Sequence, residues 1–130
     1  MALNLLRAGF PLAVHNRSRG PVDEMAALGA VPFDSPAEAA RRSDVLLTCL
    51  PGPSEVRAVT AEALEGAAAG SVFIDHSTID PQTCREVAAR AGALGVEFLD
   101  APVSGGISGA RDGTRTVMVG GEGRALERCR

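Results

Sequence analysis

The sequence predicts an α/β fold: a doubly wound, mostly parallel sheet with helices packed on its faces. Short apolar runs of strand length recur along the chain, and alanine-rich stretches of helical length separate them. At 130 residues the chain fits one domain with a core of its own.

The elements follow in order. The chain opens directly in a helix over 2–8, and a strand is expected over 11–15. A short helix over 23–28 leads to a strand over 31–33. Ser35-Pro36-Ala37-Glu38 then opens a helix with a cap, a first-turn proline and a carboxylate near the positive end of the helix dipole. A strand over 44–50 precedes a helix over 54–64 with Ser54 as its cap, and a strand over 71–75 precedes a helix over 81–94 introduced by Asp80-Pro81. The last strands are placed at 96–100 and 116–119. Gly9, Gly29 and Gly95 each follow a helix directly, where a left-handed residue ends it. A doubly wound domain normally begins with a strand and a glycine-rich turn, so this opening predicts a sheet without its first strand.

Composition narrows the function classes. The net charge is -3, and the 13 basic residues are all arginine and scattered, which argues against nucleic acid or an anionic membrane as partner. No apolar run approaches the roughly 18 residues of a membrane span, and no signal-peptide pattern is present, so a soluble cytoplasmic protein is expected. Cys49, Cys84 and Cys129 have neither C-x-x-C spacing nor adjacent histidines. They are expected as buried, reduced thiols, with no metal site.

Three stretches carry more specific information. Met1-Ala-Leu-Asn-Leu-Leu-Arg-Ala-Gly9 and Ile74-Asp-His-Ser-Thr-Ile79 are supporting; Asp100-Ala-Pro-Val-Ser-Gly-Gly106, leading to Gly113-Thr-Arg-Thr-Val-Met-Val-Gly-Gly121, is the distinctive block. With Asn16-Arg17-Ser18, Ser35 to Ala40 and Leu50-Pro51 in sequence between them, the chain resembles the β-hydroxyacid dehydrogenases, the 3-hydroxyisobutyrate dehydrogenase family. The resemblance implies a Rossmann-like NADP-binding domain of the 6-phosphogluconate dehydrogenase type. It places Met1-Ala2 at the tail of a G-x-G-x-M-G loop, with about fifteen residues of strand and loop absent in front. It also implies a helical domain after residue 130 that supplies a catalytic lysine, whereas this chain contains no lysine. The expected protein is therefore a partial domain of an oxidoreductase, with no catalytic residue of its own.

The resemblance assigns roles to individual positions. Asn16, Arg17 and Ser18 stand where NAD-binding domains place an acid for the ribose hydroxyls. An arginine suits a 2′-phosphate, because its planar fork donates paired charge-assisted hydrogen bonds, so NADP is expected over NAD. Leu50 and Pro51 leave a strand at its carboxyl end and are assigned to the nicotinamide-ribose side; read alone they are a strand exit. Thr78 is assigned to the cofactor near the nicotinamide, with an S/T turn as its other reading. Ser104, Gly105 and Gly106 are assigned to the substrate carboxylate, since a hydroxyl and adjacent backbone amides can cradle an anion. Gly109 and Gly113 shape the loop after them, Asp100 orders the segment, and Arg115 replaces a more usual apolar residue. His15 and His76 are read as structural side chains, the family's acid/base group lying elsewhere.

The resulting expectation is hydride transfer between NADP(H) and a short β-hydroxyacid or its semialdehyde, of the 3-hydroxyisobutyrate, glyoxylate or succinic semialdehyde kind. The substrate is a small carboxylate and the parent enzyme a homo-oligomer. The isolated chain is expected to be inactive and to bind NADPH weakly. Two other readings stay open: a non-catalytic dinucleotide-binding or interaction domain, and a relative of the imine reductases.

Overall fold

The structure is a computed structural model and describes residues 1–130. Helix and strand alternate through the first hundred residues. α1 (Ala2–Arg7) leads to β1 (Ala13–Val14), α2 (Arg19–Ala27) to β2 (Val31–Pro32), and α3 (Pro36–Arg41) to β3 (Val45–Thr48). α4 (Pro53–Gly66) leads to β4 (Val72–Asp75), and α5 (Pro81–Ala93) to β5 (Glu97–Asp100). A different rhythm follows: β6 (Val103–Ser104), α6 (Gly106–Asp112), β7 (Thr116–Val117), β8 (Gly120–Gly121) and α7 (Gly123–Cys129).

The sheet is mostly parallel, as the sequence predicts, and it is divided. β1 pairs only with β2, while β3, β4, β5 and β8 form a separate four-stranded sheet. Val45 opposes Val72 and Thr48 opposes Asp75; Val72 in turn opposes Glu97 and Asp75 opposes Asp100, all in parallel register. The expected gap therefore lies between β1 and β3. The antiparallel pairs all come after β5, where β8 returns along β5 and β6 pairs with β7.

The core belongs to the four-stranded half. All four residues of β4 are buried, and they alternate between faces with the period of two that a strand imposes. Phe73 packs with Leu46, Leu64, Ala91 and Val96. Val72 and Ile74 pack on the other side with Leu99, Ala101 and Ala125. Phe98 meets Phe73 edge-on, with ring centroids 5.9 Å apart, the arrangement an aromatic quadrupole favours.

Local chemistry explains the helix boundaries. Ser35 accepts a hydrogen bond from the Glu38 amide at 3.2 Å, and Asp80 accepts one from the Thr83 amide at 2.9 Å. Ser54 does not cap α4: Gly52 takes that position with Pro53 as the first helical residue, and the Ser54 hydroxyl donates to Glu55 instead. α2 begins at Arg19 rather than at 23, because the extended Ser18 already provides a helix entry. Gly9, Gly29 and Gly95 have φ of +89°, +105° and +71°, in the left-handed region expected of them.

Of the strand expected over 116–119 only Thr116–Val117 pairs, as β7, and the chain enters β8 beyond it at Gly120–Gly121. Gly121 makes this workable, since a Cβ there would lie 2.8 Å from Leu99 Cδ2 and 2.9 Å from the Phe98 carbonyl. All three cysteines are free, but only Cys84 and Cys129 are half-buried. Cys49 is exposed, against expectation, because it follows β3 on the uncovered side of the divided sheet.

Candidate functional site

In a doubly wound sheet, ligands bind beyond the carboxyl ends of the strands. The residues singled out in the sequence lie just past those ends: Asn16, Arg17 and Ser18 after β1, Leu50 and Pro51 after β3, Thr78 after β4, and Ser104, Gly105 and Gly106 after β5. Most are exposed, with only Leu50 half-buried.

The exit of β1 forms one wall of a cleft of about 180 Å³, lined by Asn16, Arg17, Arg19, Phe33 and Asp34 among others. Its two arginines differ. Arg19 is occupied, its Nε on Asp23 at 2.9 Å and its Nη1 on Asp34 at 3.1 Å. Arg17 makes no ion pair within bonding distance, so its guanidinium fork is available. It lies close enough to the start of α4 to help hold the Glu55 carboxyl below its usual range, behind the larger effects of the Ser54 hydroxyl and the Glu55 amide. Asn16 Nδ2 donates to the Ser18 carbonyl at 3.1 Å, fixing the turn, and the Ser18 hydroxyl caps nothing and is free. The cleft is thus polar, and the guanidinium of Arg17 is its unpaired charge. A larger neighbouring cleft of about 300 Å³ shares Phe33 and Asp34 but presents acidic Glu38 beside Arg41 and Arg42. Its mixed charge makes it a poorer anion site.

A buried carboxylate organises the exits of β3 and β4. Asp75 is fully buried, and its Oδ1 accepts from Thr48 Oγ1 at 2.8 Å, Ser77 Oγ at 2.5 Å and the Ser77 amide at 3.0 Å. Ser77 Oγ in turn accepts from the Leu50 amide at 2.8 Å. One side chain thus ties the Leu50-Pro51 turn to the Ser77-Thr78 turn, while its Oδ2 has no partner. Asp100 sits opposite Asp75 across the β4–β5 pairing. Burial, and then the Asp75 charge, push its carboxyl above the usual range, partly offset by a hydrogen bond with Cys84. The Cys84 thiol is itself raised by burial and by Asp100. Both histidines have structural contacts: His76 Nδ1 is 2.8 Å from the Ala101 carbonyl and His15 Nδ1 is 3.2 Å from the Phe33 carbonyl.

The Ser104-Gly105-Gly106 turn needs glycine. Gly105 and Gly106 have φ of +123° and +59° in succession, a conformation L side chains resist. Their carbonyls are occupied: Gly105 O accepts from the Gly109 amide at 2.9 Å, and Gly106 O takes Arg115 Nε at 3.1 Å and Nη2 at 2.8 Å. Arg115 is therefore the clamp on this turn, which its rarity at an apolar position did not reveal. Asn4 was also missed; its Nδ2 donates to the Ala110 carbonyl at 2.9 Å and docks α1 against α6. No cluster of metal-ligating side chains exists, and no helix is long and apolar enough to cross a membrane.

Fold and exit residues together define a dinucleotide-binding α/β domain. The family described as the NAD binding domain of 6-phosphogluconate dehydrogenase matches residues 1–130, so the chain belongs to that family, with 3-hydroxyisobutyrate dehydrogenases among its relatives. It is 40% identical over 133 residues to the NAD-dependent L-serine dehydrogenase of Pseudomonas aeruginosa, covering 100% of this chain and 45% of that protein. It is 41% identical over 122 residues to the mitochondrial 3-hydroxyisobutyrate dehydrogenase of Drosophila melanogaster, covering 93% of this chain and 38% of that one. The solved 3-hydroxyisobutyrate dehydrogenase of Mycobacterium tuberculosis, in a structure with L-serine, superposes with a TM-score of 0.95 at 39% identity, over 99% of this chain and 44% of that one. The chain spans less than half the length of these relatives.

Proposed function

We propose that this chain is the NADP-binding and carboxylate-anchoring part of an oxidoreductase that moves a hydride between NADP(H) and a short β-hydroxyacid or its semialdehyde. The observation that carries the cofactor choice is the free Arg17 fork beside Asn16 and Ser18, while the neighbouring Arg19 is neutralised by two aspartates. The related Pseudomonas enzyme is named for NAD.

The nicotinamide, when bound, supplies the hydride chemistry. The residues of this chain bind and orient. Arg17, Asn16 and Ser18 hold the 2′-phosphate; the Leu50-Pro51 and Thr78 turns, joined through Ser77 and Asp75, form the seat of the nicotinamide end. Ser104 and the Gly105-Gly106 amides take the substrate carboxylate, with the carbonyls held away by Arg115 and the Gly109 amide. The alcohol proton is left to a lysine that the family resemblance supplies and this chain does not contain.

Adenosine 2′,5′-bisphosphate and AMP test the cofactor reading without requiring the rest of the dinucleotide. In an NMR titration the bisphosphate is expected to shift the amides of 16–18 and to bind about tenfold more tightly than AMP. Arg17→Ala is expected to remove the difference. Equal binding of the two nucleotides, or a preference that survives Arg17→Ala, contradicts the assignment.

A further inference from the structure

Arg115 is fixed against the carboxylate turn and carries its charge there without an acidic partner. Its Nε donates to the Gly106 carbonyl at 3.1 Å, and its Nη2 donates to the same oxygen at 2.8 Å. Nη1 lies 3.5 Å from Met1 Sδ, a weak acceptor, so part of the guanidinium's donor set remains unused. The ion pairs of the chain engage Arg19, Arg57, Arg124, Arg128 and Arg130, and Arg115 is in none of them. A carbonyl satisfies the fork without cancelling its positive charge.

The side chain is held rather than loose. Gly105 and Gly109 leave room for its stem: a Cβ at Gly109 would lie 3.2 Å from Arg115 Cγ, and one at Gly105 would lie 3.5 Å from it. Arg115 is half-buried, whereas Arg111 on α6 is exposed. A loose arginine loses rotamer freedom when it binds an anion; Arg115 has lost it already. Bond lengths put Nη2 no farther than about 7 Å from the Gly106 amide nitrogen. That is inside the screening length of about 8 Å in physiological salt. A carboxylate seated on the turn therefore feels this charge, and so does a second anionic group on the same small ligand. The two carboxyl carbons of a diacid such as malate lie within about 4 Å of each other.

We propose that Arg115 is a specificity-determining residue of this turn, a fixed positive charge that favours a β-hydroxyacid carrying a second carboxylate over the corresponding monocarboxylate. The inference rests on the carboxylate-anchoring function proposed above and narrows its substrate class. The rest of the chain does not supply the preference, because its net charge of -3 gives a general field that disfavours a dianion. In water an added charge at about 7 Å gains about threefold in affinity, and one at about 4 Å gains more.

Malate and 3-hydroxypropanoate are the probes, titrated into the 130-residue chain and followed by NMR at the Ser104, Gly105 and Gly106 amides. Malate is 3-hydroxypropanoate with a carboxylate on its carbinol carbon. It is expected to bind about threefold to tenfold more tightly, and to move the Arg115 Nε–H signal further than the monocarboxylate does. The preference is expected to shrink as salt rises from about 0.01 M to about 1 M, where the screening length falls from about 30 Å to about 3 Å. Arg115→Gln keeps an N–H for the Gly106 carbonyl but removes the charge, so the two probes are expected to bind alike. Arg115→Lys keeps the charge and is expected to retain the preference. A purely structural clamp would weaken both probes equally in either variant and leave their ratio unchanged. Equal binding of the probes by the unsubstituted chain, or a preference that survives Arg115→Gln, overturns the specificity role while the carboxylate turn stands. If neither probe moves the Ser104, Gly105 and Gly106 amides, the turn is not the anchor and the inference falls with it.

Discussion

The two halves of the divided sheet are held by different means. β4 and β5 are each paired on both sides, and both faces there carry buried clusters that include Phe73 on one and Leu99 on the other. Around β1 and β2 there are two short strands and no such cluster; Val31 is 55% exposed, and Val22 and Ala30 are the buried residues. Yet the weaker half carries Arg17, the residue to which the proposed function gives cofactor discrimination. Stability and phosphate recognition are thus built in different parts of the chain, joined across an edge without hydrogen bonds.

Substitutions at corresponding places measure that inequality. Phe73→Ala removes a fully buried ring and is expected to cost about 3–5 kcal/mol in urea unfolding, whereas half-buried Phe33→Ala should cost less than about half as much. Equal losses would make the two halves one cooperative core. Asp75→Ala leaves Thr48 Oγ1 and the Ser77 amide without their acceptor and is expected to cost about 2 kcal/mol or more. It should also broaden the Leu50 and Thr78 amide resonances while leaving Asn16 and Arg17 sharp. Asp75→Asn, which keeps the Oδ1 acceptor, should be milder.

Arg115→Ala tests the glycine turn, with an expected loss of about 1–2 kcal/mol and faster exchange at Gly106. Asp100 gives the smallest effect. Its carboxyl titrates higher in the folded chain than in the unfolded one, so the folded state holds the proton more tightly. Stability is then expected to fall as pH rises from about 4 through the folded value, and Asp100→Asn should flatten that fall in urea midpoints measured across pH.

The repeating half of the fold was legible in the sequence because its signals are local. The apolar run ending at Asp75 predicts β4, Asp80-Pro81 predicts the start of α5, and Gly9, Gly29 and Gly95 predict the stops of α1, α2 and α5. The division of the sheet was legible too, since a doubly wound chain that opens in a helix has one strand fewer than its order requires. Beyond residue 100 the signals weaken. α6 contains two glycines, which weaken helix propensity, and β6 and β8 are two-residue pairings fixed by tertiary contact. The candidate site shows the same split. The exit residues could be listed from motifs, but Asp75 as the tie between two turns and Arg115 as the clamp on Gly106 depend on partners 27 and 9 residues away along the chain.

Native-state hydrogen exchange on the 130-residue chain compares the halves directly. The Val72, Phe73, Ile74 and Leu99 amides are expected to exchange only through global unfolding, while Val31 and Phe33 exchange through an opening of much lower free energy. Equal protection of both groups, tracking the same denaturant dependence, would contradict a fold whose stable half and phosphate-recognising half are separate.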